Sequence, residues 1–318
     1  MIKNKKAFEM SFAWMFAIIA GTAILFIAIY ATSQFIETRR YEIDTQTSAK
    51  LAILLDPLET SLESGKSSLL SFSSETRIFN DKCYTYGNFG EQSIGITSSS
   101  GIGKKWQTPS YGKPQYNKYI FSGSVEESKD FYVFSKPFKT PFKVSDLIIF
   151  SGQNYCFIQA PEAEEIKDEL QGLNIKNAYF TDTKSNCSEN SKKVCFSSSS
   201  GCDIAVYGNN YDFSSGYVSK EGKNLYYVDS LIYAALFSSP EVYECNVKRL
   251  MLRLVNLCLI YKDKIELLEK RGCSSNLDAH LTELANLANN LNSSKGLLLV
   301  QEKAQEIEQI NEACKVYE

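Results

Sequence analysis

Few groups of residues in this 318-residue chain have types and spacings that could do chemistry. Glu63-Ser64-Gly65-Lys66-Ser67 contains a Gly-Lys-Ser triplet, but a phosphate-cradling loop needs a further glycine where Thr60 stands and a helix after the lysine. Gly101-Ile102-Gly103 lacks the third glycine of a dinucleotide fingerprint and reads as a turn. His280 is the single imidazole for a Cys–His dyad or a Ser-His-Asp triad. Cys273 precedes it outside the helix, and no Gly-x-Ser-x-Gly elbow accompanies it. Glu162, Glu164, Glu165, Asp168 and Glu169 crowd one short helical stretch. Carboxylates run glycoside hydrolysis only when two face each other across a cleft, so this group reads as a solvated face. The tandem Pro137-Phe138-Lys139-Thr140-Pro141-Phe142-Lys143 suits an extended edge with snorkelling lysines, or a contact to anionic headgroups or a partner protein. Without Cys or His at ligand spacing there is no zinc signature. The residues therefore imply no catalytic site, no cofactor and no metal.

The cysteines carry the clearest chemistry. All nine lie beyond the N-terminal apolar segment, and none forms a Cys-x-x-Cys pair. Dispersed cysteines with one histidine point to disulfides in an oxidising compartment. Cys258 sits in the apolar run LVNLCLIY and reads as a small buried hydrophobe. The remaining candidates are Cys83, Cys156, Cys187, Cys195, Cys202, Cys245, Cys273 and Cys314, whose connectivity the sequence leaves open. Two Asn-x-Ser sequons, at Asn186 and Asn292, are possible glycosylation sites and fit an external location. Net charge is −3, with 34 basic and 37 acidic residues, so no basic field points to nucleic acid.

What positions these residues is the first part of the chain. Between Met10 and Gln34 there is no charged residue, and the middle reads FAWMFAIIAGTAILFIAIY. Such a run meets the roughly 20 apolar residues needed to cross a bilayer core as a helix. It is apolar all round, unlike a core helix with one polar face. It is also too long for a secretory signal, and no small-x-small cleavage site follows it. Lys3, Lys5 and Lys6 precede the run and Arg39 and Arg40 follow it, a small bias that the cysteines reinforce. The reading is residues 1–7 in the cytoplasm, a transmembrane helix over 8–36 in the cell membrane, and the large C-terminal part outside.

Lys5-Lys6-Ala7-Phe8 resembles the cleavage site of type IV prepilins, in which a basic stretch and a small residue precede the apolar helix. The resemblance covers the N-terminal segment alone. It departs from the bacterial pattern at Glu9 and at Phe12, where a glutamate is usual; archaeal pilin-like signals are looser there. It implies processing between Ala7 and Phe8, and a long helix half in the membrane and half packed under a β-rich head. Helical spacing does continue through Ile36, Ile43, Thr47, Leu51 and Leu54, giving a stalk over 37–65. An unbroken helix from Met10 to Leu55 would span roughly 69 Å, more than a bilayer. Asp56-Pro57 reads as a helix restart and Gly65 as its stop.

Over residues 66–238 the pattern changes to short Phe-, Tyr-, Ile- and Val-rich segments separated by Gly, Ser, Asn and Pro. Strands are predicted at Leu69–Phe72, Arg77–Phe79, Ile94–Thr97, Lys118–Phe121, Phe131–Ser135, Leu147–Phe150, Tyr155–Ile158, Ala178–Thr181, Lys193–Phe196 and Asp203–Tyr207. A hairpin over Gly216–Tyr227 turns at Glu221-Gly222. One helix, from Pro161 to Leu170, interrupts them. Residues 239–318 read as an antiparallel helical bundle. Ser239-Pro240-Glu241 opens a long helix that Gly272 closes, and two shorter helices follow. In that arrangement Cys273 and Cys314 meet at one end.

KKAFEMSFAW, DPLETSLESGK, KPFKTPFKVSDLI and VYECNVKRLM together resemble a family of uncharacterised single-pass proteins in small-genome archaea. That resemblance covers most of the chain and implies no activity. The expected fold is α+β: a long transmembrane and stalk helix, a β-rich extracytoplasmic head and C-terminal helices. The expected function is structural, or an interaction role in the cell envelope, with a pilin-like or pilus-accessory part as its sharpest version. Its expected partners are the lipid bilayer and, through the N-terminal helix, other envelope or pilus proteins, not nucleic acid. The alternatives are a membrane-anchored enzyme, or a ligand-binding or sensor domain acting through a partner helix near Gly21.

Overall fold

The structure is a computed structural model and describes residues 12–54 (backbone alone from 35), 67–99, 106, 108–158, 163–198, 200–209, 213–273, 275–311 and 315–317. Helix α1 runs without interruption from Phe12 to Leu54, 43 residues or about 65 Å. Its segment Phe12–Gln34 has a mean hydropathy of 2.4, and none of its most apolar window is buried in the protein. The Thr22 and Thr32 hydroxyls donate to the carbonyls of Ile18 (2.6 Å) and Ala28 (2.7 Å), so these polar groups are satisfied within the helix. The restart at Asp56-Pro57 and the stop at Gly65 lie outside the described residues.

Two six-stranded sheets form the head. The first holds β1 (Ser67–Tyr84), β2 (Glu91–Ser98), β3 (Ser110–Tyr111), β4 (Tyr119–Phe121), β5 (Val125–Lys139) and β6 (Lys143–Ser151), in the order β3-β2-β1-β5-β6-β4. It is antiparallel except where β4 joins β6. Helix α1 lies against β2 and β3. The second sheet holds β7 (Asn154–Ile158), β8 (Ala178–Thr181), β9 (Ser191–Phe196), β10 (Ile204–Gly208), β11 (Ser215–Lys220) and β12 (Lys223–Val228), in the order β12-β11-β10-β9-β7-β8. Strands β8, β7, β9 and β10 are parallel, and α2 (Glu164–Gly172) is the crossover between β7 and β8. The β11–β12 hairpin turns at Glu221-Gly222 as expected, both with positive φ, which suits a two-residue turn.

Two expectations are corrected. Leu69–Phe72 and Arg77–Phe79 are not separate strands but parts of β1, which continues through register shifts after Ser71 and Phe79. The Pro137–Lys143 tandem is no edge segment. It makes the turn between two internal strands, and Phe138 and Phe142 point into the core.

Alternation builds two cores from the first sheet. Tyr119, Phe121, Phe134, Leu147 and Ile149 join the main core, while Ile120, Phe131, Val133, Ile148 and Phe150 form a smaller one with Ile78, Ile94 and Ile96. The second sheet adds Tyr155, Phe157, Val194, Val206, Val218 and Tyr227 to the main core. Helix α3 (Leu231–Phe237) is buried along its whole length. Helices α4 (Pro240–Glu269), α5 (Leu277–Asn289) and α6 (Leu297–Ile310) share that same core. The end of α4 matches its sequence signal: Gly272 has φ +84°, and Cys273 N–H donates to Leu268 O at 3.0 Å, closing a Schellman turn.

Helix α4 is fastened to the first sheet by polar groups. Arg249 has no exposed surface. Its guanidinium donates to the carbonyls of Lys118 (2.9 Å), Gln115 (2.9 Å) and Tyr116 (3.2 Å), to Gln92 Oε1 (3.1 Å) and to Asn246 Oδ1 (2.7 Å). It also lies 4.9 Å from the centre of the Tyr119 ring. Burial lowers its pKa to about 10, so it stays charged at neutral pH. Asn246, Asn80 and Gln92 donate in turn to Ile120 O. The Cys83–Cys245 disulfide, spanning 162 residues, ties the same helix to the end of β1. Closing a loop of that length contributes about 5 kcal/mol in the chain-entropy description. Removing the guanidinium takes a donor away from several buried acceptors at once. Arg249→Ala is expected to cost about 3–5 kcal/mol, read as a lower urea midpoint. A loss under about 1 kcal/mol would contradict this role.

Candidate functional site

A cavity of about 350 Å3 opens at the seam between the two sheets, beside the first turn of α4. Its floor is set by chain turns. The β4–β5 turn brings Gly123 and the β6–β7 turn brings Gly152 onto one carboxylate, that of Glu126 on β5. Glu126 accepts from Gly123 N–H at 3.0 Å and Gly152 N–H at 3.2 Å, with Ser151 Oγ at 3.5 Å. A Cβ on Gly123 would stand 2.6 Å from Glu126 Oε1, so a larger residue there would push the carboxylate aside. From the second sheet, Lys220 at the end of β11 donates to Leu236 O at 2.9 Å, the last turn of α3. Ser238 follows α3, and its hydroxyl is buried without a hydrogen-bond partner. Ser239 shares a 2.7 Å hydroxyl contact with Ser124 across the seam. Tyr155 and Phe237 supply apolar wall, and Lys192, Asp203, Glu221 and Glu241 form the rim.

Glu126 is 1% and Lys220 7% exposed. Burial is the main force on both. It raises the Glu126 carboxyl from 4.5 to about 7, against the backbone N–H groups that favour the anion. It lowers the Lys220 ammonium from 10.5 to about 7, against the attraction of Glu221 and Glu126. Burial also pushes the Tyr155 phenol up. An acid and a base poised near neutrality inside one cavity can bind charged ligands or exchange protons with them.

The disulfides come together as Cys83–Cys245, Cys156–Cys187 and Cys195–Cys202. Cys258 is free and buried, as its apolar setting predicts, and burial raises its thiol pKa to about 12. Cys273 is disulfide-bonded; its expected partner Cys314 lies outside the described residues. So do the processing residues Ala7 and Phe8, together with Gly65, Lys66 and Glu162. Asn186 and Asn292 are both exposed. Next to Asn292, the Ser294 hydroxyl is buried and donates to Glu244 at 2.6 Å. On α2, Glu164 and Asp168 are not gathered around a cleft, while Glu169 pairs with Lys136 at 2.7 Å and with the Tyr233 hydroxyl. His280 lies 3.1 Å from Glu306, in a surface cluster with Lys303. Among the described residues no group of three or more His, Cys, Asp or Glu could hold a metal ion.

No protein-family model, curated protein or solved structure matches the chain.

The seam cavity was not among the expected sites. For Lys220 a signal exists: Gly216, Val218 and Lys220 alternate on one face of β11 and all are buried. The linkage of this pair to pH has a definite sign. Glu126 holds its proton more tightly folded than unfolded. Its contribution is fully present below pH 4.5 and is lost as pH rises through about 7. Lys220 holds its proton less tightly folded, so stability lost below about 7 is regained as pH rises toward 10.5. Glu126→Gln is expected to flatten the fall across the lower window by about 3 kcal/mol, and Lys220→Met to flatten the rise across the upper one. Urea titrations at stepped pH check this; unchanged profiles in both variants would contradict it.

Proposed function

We propose that this chain is a membrane-anchored protein of the cell envelope whose oxidised α+β head serves as a structural or interaction module outside the cytoplasm. The observation that carries this reading is the Phe12–Gln34 segment: 23 uncharged residues of mean hydropathy 2.4, with none of the most apolar window buried. A core helix of a soluble protein would be mostly buried, and leaving this much apolar surface in water is costly. The same helix continues to Leu54 and reaches β2 and β3, which suits a stalk that holds the head at the membrane. The disulfides support an oxidising compartment for the head. With the positive flank Lys3, Lys5 and Lys6, this supports a cytoplasmic N-terminus.

The finer version is pilin-like: cleavage between Ala7 and Phe8, then assembly through the apolar helix with other envelope or pilus proteins. Protease added to intact cells should degrade the head of the full-length protein, while a head protected until the membrane is opened would contradict the orientation. N-terminal sequencing of the membrane-extracted protein separates the versions. A start at Phe8 is expected for a processed pilin; a start at Met1 or Ile2 leaves a plain anchor.

A further inference from the structure

We propose that the seam cavity binds a small zwitterion of the α-amino-acid type, with its carboxylate on the floor and its ammonium at the rim. The volume, about 350 Å3, is at the lower end of the range of about 300–1,000 Å3 that small-molecule pockets occupy. The inference goes beyond the anchoring role and does not rest on it.

The floor calls for an acceptor. Ser238 is 2% exposed and borders the cavity, and its hydroxyl has no hydrogen-bond partner. Buried hydroxyls are almost always paired, so this one is free to donate to an acceptor placed against it. Beside it, Lys220 has three donors and is shown giving one, to Leu236 O. The first turn of α4, a 30-residue helix, borders the cavity at Ser239 and Glu241, but its N–H groups there are engaged by Ser122 O and by the Glu241 carboxylate itself. The hydroxyl and the lysine together fit a carboxylate.

The rim has the opposite character. Asp203, Glu221 and Glu241 are exposed there against a single lysine, Lys192. Part of that charge is engaged: Glu241 pairs with Lys223 at 2.5 Å, and Asp203 accepts from Lys193 N–H at 2.8 Å. The excess is still acidic, which attracts an ammonium group and repels a phosphate. Glu126, held by the turn N–H groups, places a protein carboxyl on the floor, which further disfavours a dianion there. Tyr155 and Phe237 offer an apolar wall to the carbon skeleton between the two ends. A ligand with one charge alone would satisfy one end of this cavity and leave the other unmatched.

The test is calorimetry on the full-length protein in detergent, titrated with each proteinogenic L-amino acid, with butylamine (ammonium only) and with butyrate (carboxylate only). At least one amino acid should bind saturably, and neither singly charged probe should. Ser238→Ala, which removes only an unpaired hydroxyl, should keep the wild-type melting temperature and weaken that amino acid about tenfold or more. Glu221→Gln, at an exposed turn, should weaken it as well. Binding of no amino acid overturns the proposal. So does equal binding of butylamine or butyrate, or affinity unchanged in both variants.

Discussion

A buried guanidinium is the constraint around which the head is arranged. Arg249 enters the interior from the middle of the longest helix of the head and meets backbone carbonyls that belong to the segment leading into β4. Gln115 bridges to β2, its carbonyl also accepting from Gln92 N–H at 3.0 Å, so the guanidinium joins a segment already laid along the sheet. These acceptors make the positive charge tolerable in a dry interior. Asn246, one turn earlier on the helix, extends the arrangement to Ile120 O, and Cys245 locks the adjacent position covalently to Cys83. Three neighbouring residues of one helix thus fix it to the first sheet by three kinds of bond. Tyr243, Val247 and Leu250 of the same helix join the core that both sheets share, and the Tyr243 hydroxyl donates to Tyr226 O of β12.

The seam cavity is a consequence of that arrangement. With α4 held on the first sheet, its first turn projects to where the sheets meet, and strands end there from both sides. Strand ends bring turns, and turns bring N–H groups that need acceptors. Glu126 fills that need for Gly123 and Gly152, and Lys220 does the same for the last carbonyls of α3. Each charge is thus explained locally by the backbone it serves. What local structure does not explain is the unpaired Ser238 hydroxyl between them.

Much of the fold was legible because its signals are local. Ser239-Pro240 and Gly272 bound α4, Glu221-Gly222 turns a hairpin, and the uncharged run gives the apolar helix. What was hidden depends on distant partners. Arg249 sits in VKRLMLRL, where a cation looks like the solvated side of an apolar stripe; its acceptors lie more than a hundred residues earlier. Glu126 sits in VEESKD, where a carboxylate looks solvated, and one of the N–H groups it serves, that of Gly152, belongs to a distant turn. The Pro137–Lys143 repeat failed for a different reason. Its prolines signal a break in pairing, but they mark a turn with both phenylalanines inward rather than an exposed edge.

The central claim is that this fold is an oxidised domain carried by an apolar helix, and its thiol chemistry in the native membrane tests that most directly. Full-length protein should be harvested with free thiols trapped by alkylation, then unfolded, alkylated with a second reagent and mapped without reduction. The account predicts Cys83 linked to Cys245, Cys156 to Cys187 and Cys195 to Cys202, with Cys258 labelled only after unfolding. Recovery of Cys83 and Cys245 as free thiols carrying a label would contradict it.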